Sequence, residues 1–212
     1  MPKPRGRRPV ARIRAQARAA ADEVQRRLIA ECVCRVIDAE GLEGTTLRRI
    51  AAELGCTTGL IAHYFPSKEA LLLRALRTAF ERLEGALVAR GAVRGDLDGQ
   101  LAAFLDALPF DEEQRVYWRV QAAYRGATAA HPAAASEARR WERAAVEALR
   151  AAVARELGLD GADPGVALVT DALEALMDGI GSAAAVDPGR YSRERVEAMV
   201  RACARGLLAS AR

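Results

Sequence analysis

Histidine occurs only twice in this chain, at His63 and His131, and cysteine four times, at Cys32, Cys34, Cys56 and Cys203. None of these falls into metal-ligand spacing, no nucleophile sits beside a base, and no glycine-rich phosphate loop can be read. No metal and no cofactor are therefore expected, and the chain is not read as an enzyme. Cys32 and Cys34, two positions apart, point away from each other on a helix, and all four cysteines are read as structural thiols. No apolar run approaches the roughly 20 residues of a membrane span, and the N-terminus lacks the apolar core of a signal peptide. A soluble, cytoplasmic protein with no membrane partner is the expectation. No stretch alternates apolar and polar residues as a strand would. What remains is ample apolar content: 51% of 212 residues are hydrophobic although only 5% are aromatic. That composition can bury a core, and the length fits one large domain or a small one plus a medium one.

Acidic residues are missing from the first 21 positions, where Lys3, Arg5, Arg7, Arg8, Arg12, Arg14 and Arg18 accumulate, while the net charge of the whole chain is only +4. A basic, flexible arm over 1–21 on a nearly balanced body suits a polyanion, because cations placed near phosphates release condensed counterions. A solubilising tail has the same composition.

Helical spacing runs through the rest, so the fold class is all-α. Val24, Leu28, Ile29, Cys32, Val33, Val36 and Ile37 mark a first helix over about 22–40, closed by Gly41. Thr45 or Thr46 caps a short second helix with Ile50, Ala51 and Leu54 inward, ended by Gly55. Thr57 caps a third, with Leu60, Ile61 and Phe65 as its inward positions. Two short helices joined by a tight turn at Gly55 and Cys56 read as a helix-turn-helix. Pro66 closes the third helix, and Ser67 caps a long fourth one running to about residue 90 through Leu71, Leu72, Leu76, Phe80, Leu83 and Leu87. Further helices are expected at about 96–108, 111–126, 136–157, 164–184 and 192–211.

The outer positions of the third helix, Thr57, Thr58, Gly59, Ala62, His63 and Tyr64, are small or able to hydrogen-bond. In a helix-turn-helix the second of the two helices enters the major groove, where small residues let it sit deep. Gly59 costs about 1 kcal/mol relative to alanine within a helix, which fits a need for clearance; easier packing is the other reading. His63 is open between a contact to DNA and a partly packed surface residue. Tyr64 can pack its ring and place its hydroxyl on a phosphate. Lys68, one of two lysines, can reach the backbone.

Thr46, Ile50, Ala51, Gly55, Cys56, Thr57, Gly59, Ile61, Ala62, Tyr64, Phe65, Ser67, Lys68, Glu69, Leu71 and Leu72 together resemble the signature of the TetR family of bacterial regulators. Three positions depart from it: Cys56 replaces a usual valine, Thr57 a usual serine, and Ala62 a common tyrosine. The last removes a DNA contact, so the operator sequence cannot be carried over. The resemblance implies a three-helix DNA-binding domain over 22–67, then an antiparallel helical ligand-binding and dimerisation domain over 68–212. It nominates Thr46 and Arg48 for phosphates, with Arg49 a weaker candidate. Thr57, Thr58, Gly59, Leu60 and His63 take the groove-facing helix, and Tyr64 and Lys68 the backbone. The stretches "TTGLIAHYF", "LDALPFDEEQRVYWRV" and "RRWERAAVEAL" are similar to the choline-responsive BetI-type subgroup.

The implied partners are double-stranded operator DNA, a second copy of the chain and a small-molecule effector. Apolar faces on the last two helices, Val169, Leu173, Leu176 and Ile180 on one and Val196, Met199, Val200, Cys203 and Leu207 on the other, need covering; the family implies a dimer, and a monomer core is the alternative. Phe104, Tyr117, Trp118, Gln121, Tyr124 and Trp141 concentrate aromatic and polar groups that can line an effector pocket, suited to a quaternary amine, or serve as ordinary core. Trp118 and Tyr124, six residues apart, cannot both face one pocket squarely. The expected function is a dimeric repressor released from an inverted repeat by an effector. A non-specific architectural DNA-binding protein, using the arm, is the competing expectation.

Overall fold

The computed structural model describes residues 7–91, 95–126 and 132–211, with side chains from 16 onward except at 84 and 86–91. Lys3 and Arg5 of the basic arm lie outside the described residues, as do the side chains of Arg7, Arg8, Arg12, Arg14 and Leu87, and all of His131. The described residues form α-helices and no strand: α1 (Arg7–Gly44), α2 (Leu47–Leu54), α3 (Thr58–Tyr64), α4 (Lys68–Gly91), α5 (Leu97–Ala107), α6 (Glu112–Gly126), α7 (Pro132–Leu157), α8 (Pro164–Val186) and α9 (Arg193–Ser210). They group into two compact units, Met1–Thr78 and Ala79–Arg212. The division falls inside α4 rather than at its start, eleven residues beyond the sequence-based boundary. The first three turns of α4 explain this, because they bury Leu71, Leu72, Ala75 and Leu76, and the Cys34 thiol of α1 donates to the carbonyl of Ala75 at 3.3 Å.

In the first unit α1 begins fifteen residues earlier than the apolar pattern indicates. The added segment is rich in alanine and arginine, which favour helix without needing a buried face. Ile29, Cys32, Val33, Val36 and Ile37 are buried, whereas Val24 and Leu28 are at least half exposed, against expectation. Those two lie at the edge and N-terminal end of the stripe, whose buried part begins at Ile29. Gly41 breaks the helical path at φ 72°, and the Thr45 hydroxyl donates back to its carbonyl at 2.6 Å. Burial pushes the Cys34 thiol up to about 12, so this cysteine stays protonated and serves packing.

In the second unit α7 packs on α8 and α5, and α8 also packs on α6 and α9. The core is aliphatic: Leu101, Leu105, Leu108, Val120, Val153, Val166, Val169, Leu173, Val196 and Val200 are all buried. Charged clasps seal its rim, Arg193 of α9 bonding Asp106 of α5 and Arg201 reaching Asp98 at 3.2 Å.

Candidate functional site

The helix-turn-helix is built from caps. The Thr46 side-chain oxygen accepts from the Arg49 amide at 3.2 Å, and that of Thr57 accepts from the Leu60 amide at 3.3 Å. Each hydroxyl keeps its own proton for a further acceptor. Gly55 closes α2 in the left-handed region at φ 62°, where a side chain would be strained. Ile50, Ala51, Ile61 and Phe65 hold α2 and α3 inward, and the guanidinium of Arg26 donates to the carbonyl of Tyr64 at 3.4 Å, tying the end of α3 to α1.

This leaves an outward face made of Thr57, Thr58, Gly59, Leu60, Ala62 and His63, all exposed. Leu60, expected inward, is 47% exposed; Ile61 takes the core position and a seven-residue helix cannot turn both toward it. Tyr64 is half-buried, its ring edge-on to His63 at 5.0 Å between centroids. A methyl group at Gly59 would meet only the Thr57 side-chain oxygen, at 3.7 Å, so packing within the protein does not explain this glycine. Arg48 and Lys68 are exposed. Arg49 is held by Glu40 and, at 2.8 Å, by Glu53; both carboxylates raise its pKa and occupy its guanidinium.

The second unit contains a cavity of about 330 Å³. Phe80, Phe104, Trp118, Trp141 and Met177 give it apolar walls, and Gln121, Arg125, Glu142, Glu174 and Asp178 give it polar ones. Of the residues nominated from sequence, Phe104, Trp118, Gln121 and Trp141 line it; Tyr117 and Tyr124 are buried but do not. On α6 the lining positions are 118, 121 and 125, one helical face, and Tyr117 and Tyr124 lie beside it along one edge. Phe80 and Trp141 stack at 5.7 Å with planes 5° apart. The Trp118 indole nitrogen donates to the carbonyl of Ala107 at 2.7 Å, and its ring lies directly on Gly181. Arg125 grips Asp178 through both terminal nitrogens, at 2.5 and 3.0 Å, with Glu142 at 3.8 Å. Glu142, Glu174 and Asp178 were not among the residues nominated from sequence. The one available signal was the row Asp171, Glu174 and Asp178, spaced three and four residues apart on a largely apolar helix. No group of histidine, cysteine and acidic side chains among the described residues could hold a metal.

The nominated dimer face divides. Val169, Leu173, Ile180, Val196 and Val200 are buried within the protomer and belong to its own core. Leu176, Met199 and Leu207 are half-buried, and Cys203 is exposed. The uncovered stripe of α8 is Pro164, Leu168, Asp171, Ala175, Gly179, Ser182 and Val186, with Leu168 68% and Val186 85% exposed. The most apolar face served the core, and the outer face is built from smaller residues.

A capped helix-turn-helix unit followed by an all-helical unit with an internal cavity is the architecture of a helix-turn-helix regulator. The chain belongs to the TetR family: residues 34–75 match the model for bacterial regulatory proteins of that family, and residues 97–209, more than half the chain, match that for the C-terminal domain of BetI-type transcriptional repressors. The HTH-type transcriptional regulator BetI of Burkholderia mallei is 33% identical over 92 residues, 43% of this chain and 47% of that protein. The match thus spans about half the length of that curated relative. A transcriptional regulator from Rhodococcus sp. Rha1 superposes with a TM-score of 0.74 at 27% identity, covering 86% of this chain and 95% of that one. A putative transcriptional regulator from Saccharomonospora viridis, solved in complex with choline, shares the fold at 24% identity and a TM-score of 0.67, with 84% and 94% covered.

Proposed function

We propose that the chain is a dimeric repressor that binds an inverted-repeat duplex through α3 and releases it when a small organic cation fills the cavity of the second unit. The observation that carries the DNA-binding reading is the outer face of α3: a side chain at Gly59 would meet only the Thr57 hydroxyl, at 3.7 Å, and Thr58, Leu60 and His63 around it are exposed. A glycine that the fold does not require, on a helix shaped for a groove, fits close approach to base edges. Arg48, Lys68, Tyr64 and the Thr46 hydroxyl then address phosphates. Arg49, already paired with two carboxylates, positions α2 instead.

The cavity supports the effector reading. Its formal charge is negative, with three carboxylates against one guanidinium, and aromatic faces attract a cation through their quadrupoles. The helix that starts at Lys68 also supplies Phe80 and Leu83 to the cavity wall, so a ligand and a duplex both act on α4. Coupling of about 1–3 kcal/mol is typical of such pairs of sites.

Selection of bound genomic fragments tests the proposal. The wild-type chain is expected to enrich one inverted repeat. Gly59→Ala is expected to bind it about tenfold more weakly while gaining roughly 0.5–1 kcal/mol of folding stability from better helix propensity. Choline is a fitting first effector probe, and by linkage it must weaken duplex binding by the factor by which duplex weakens choline binding. Unselective binding with a steep salt dependence, unchanged in Gly59→Ala, identifies an architectural DNA-binding protein instead.

A further inference from the structure

Two side chains in the cavity are left without partners by the fold. Gln121 is only 7% exposed, yet its carboxamide makes no hydrogen bond among the described residues, although it lines the cavity. Buried amides are normally satisfied, and one facing a void awaits a polar group. Glu174, on α8, makes no hydrogen bond or ion pair among the described residues, whereas its neighbours Asp178 and Glu142 share Arg125. The guanidinium acts on Glu174 only at longer range, and is outweighed there: burial pushes the Glu174 carboxyl upward, with Asp178, Glu142 and Asp171 adding to the shift and Arg125 opposing it. The one cation lining this cavity is therefore already engaged, and Glu174, which also borders a groove lined by Arg139, Arg143 and Arg150, forms no ion pair with any of them among the described residues.

Resting on the effector reading above, we propose that Glu174 is the counter-charge that selects a cationic ligand, and that Gln121 binds the hydrogen-bonding end of the same molecule. Trp118 and Trp141 supply aromatic walls of the cavity holding both groups, so the fitting ligand is a compact ammonium compound carrying a hydroxyl or carbonyl. An anionic ligand is disfavoured, because Arg125 has both terminal nitrogens on Asp178 and would have to abandon that pair. The arrangement also explains why an uncompensated acid persists: a carboxylate held above its ordinary pKa weakens the folded state at neutral pH and gains from a bound cation.

Choline and its uncharged carbon isostere, 3,3-dimethylbutan-1-ol, separate charge from shape. Both tryptophans of the chain line the cavity, so intrinsic fluorescence and calorimetry on the full-length protein both report binding. The wild type is expected to prefer choline. Glu174→Gln is expected to lower choline affinity about tenfold, equivalent to roughly 1.4 kcal/mol, while leaving the isostere unchanged and the melting temperature equal or higher. Gln121→Leu is expected to weaken both ligands alike. Full choline preference in Glu174→Gln overturns the assignment while sparing the cavity as effector site. A wild type that binds neither compound overturns the effector reading and this proposal with it.

Discussion

Gly181→Ala is expected to destabilise the protein by about 1–3 kcal/mol, the usual cost of forcing an extra carbon into a filled core. A methyl group there would sit 2.1 Å from the nearest atom of the Trp118 ring, far inside any contact distance. The ring cannot swing freely, because its nitrogen is bonded to Ala107 at 2.7 Å and the residue is 8% exposed. Relief must come from shifting the indole away from α8 or from parting α6 and α8. The expected readout is a lower denaturation midpoint with an altered tryptophan emission. Trp118→Phe in the same chain removes the clashing part of the ring, so the double variant should recover part of the loss relative to the sum of the two single ones. Additive effects, or a Gly181→Ala protein as stable as the wild type, would show that the close contact does not constrain the helix pair.

Which features were legible from sequence depends on how local their causes are. The caps at Thr46, Thr57 and Ser67 and the stop at Gly55 act within one turn, so α2, α3 and the start of α4 fall where their residues place them. The later helices also lie within a few residues of their expected bounds, since glycine and proline punctuate them. Facing was less legible. Val24 and Leu28 fit the period of the α1 stripe but have no partner, and Leu60 lost its inward place to Ile61. On α8 the apolar stripe marks the protomer core, while the outer stripe of small residues carries little hydrophobic signal. The cavity was half legible: Trp118 and Gln121 stand out in an aromatic-poor chain, but Arg125, Glu142, Glu174 and Asp178 come from three helices whose adjacency no spacing encodes.

The second large effect concerns that outer stripe. Gly179→Arg is expected to yield a folded monomer whose affinity for the inverted repeat drops roughly 10²–10⁴-fold, the factor lost when two linked contacts become one. The variant is expected to fold because Gly179 is exposed and a side chain there meets nothing within 4 Å. The association half follows from composition. Leu168, Ala175, Gly179 and Val186 share one exposed face of α8, and Cys203 and Gly206 are exposed on the helix packed beside it. Small residues let a second helix pair come close, and one long cation in their midst holds it off while burying an unpaired charge. Two recognition helices about 34 Å apart are needed to read both half-sites, so a monomer keeps only the contacts of one α3. Sedimentation velocity gives the oligomeric state, and duplex titration at fixed salt the affinity. A variant that remains dimeric with undiminished binding would place the interface on another face. A monomer that still binds the full repeat tightly would instead detach DNA recognition from dimerisation, contradicting the two-half-site reading of α3.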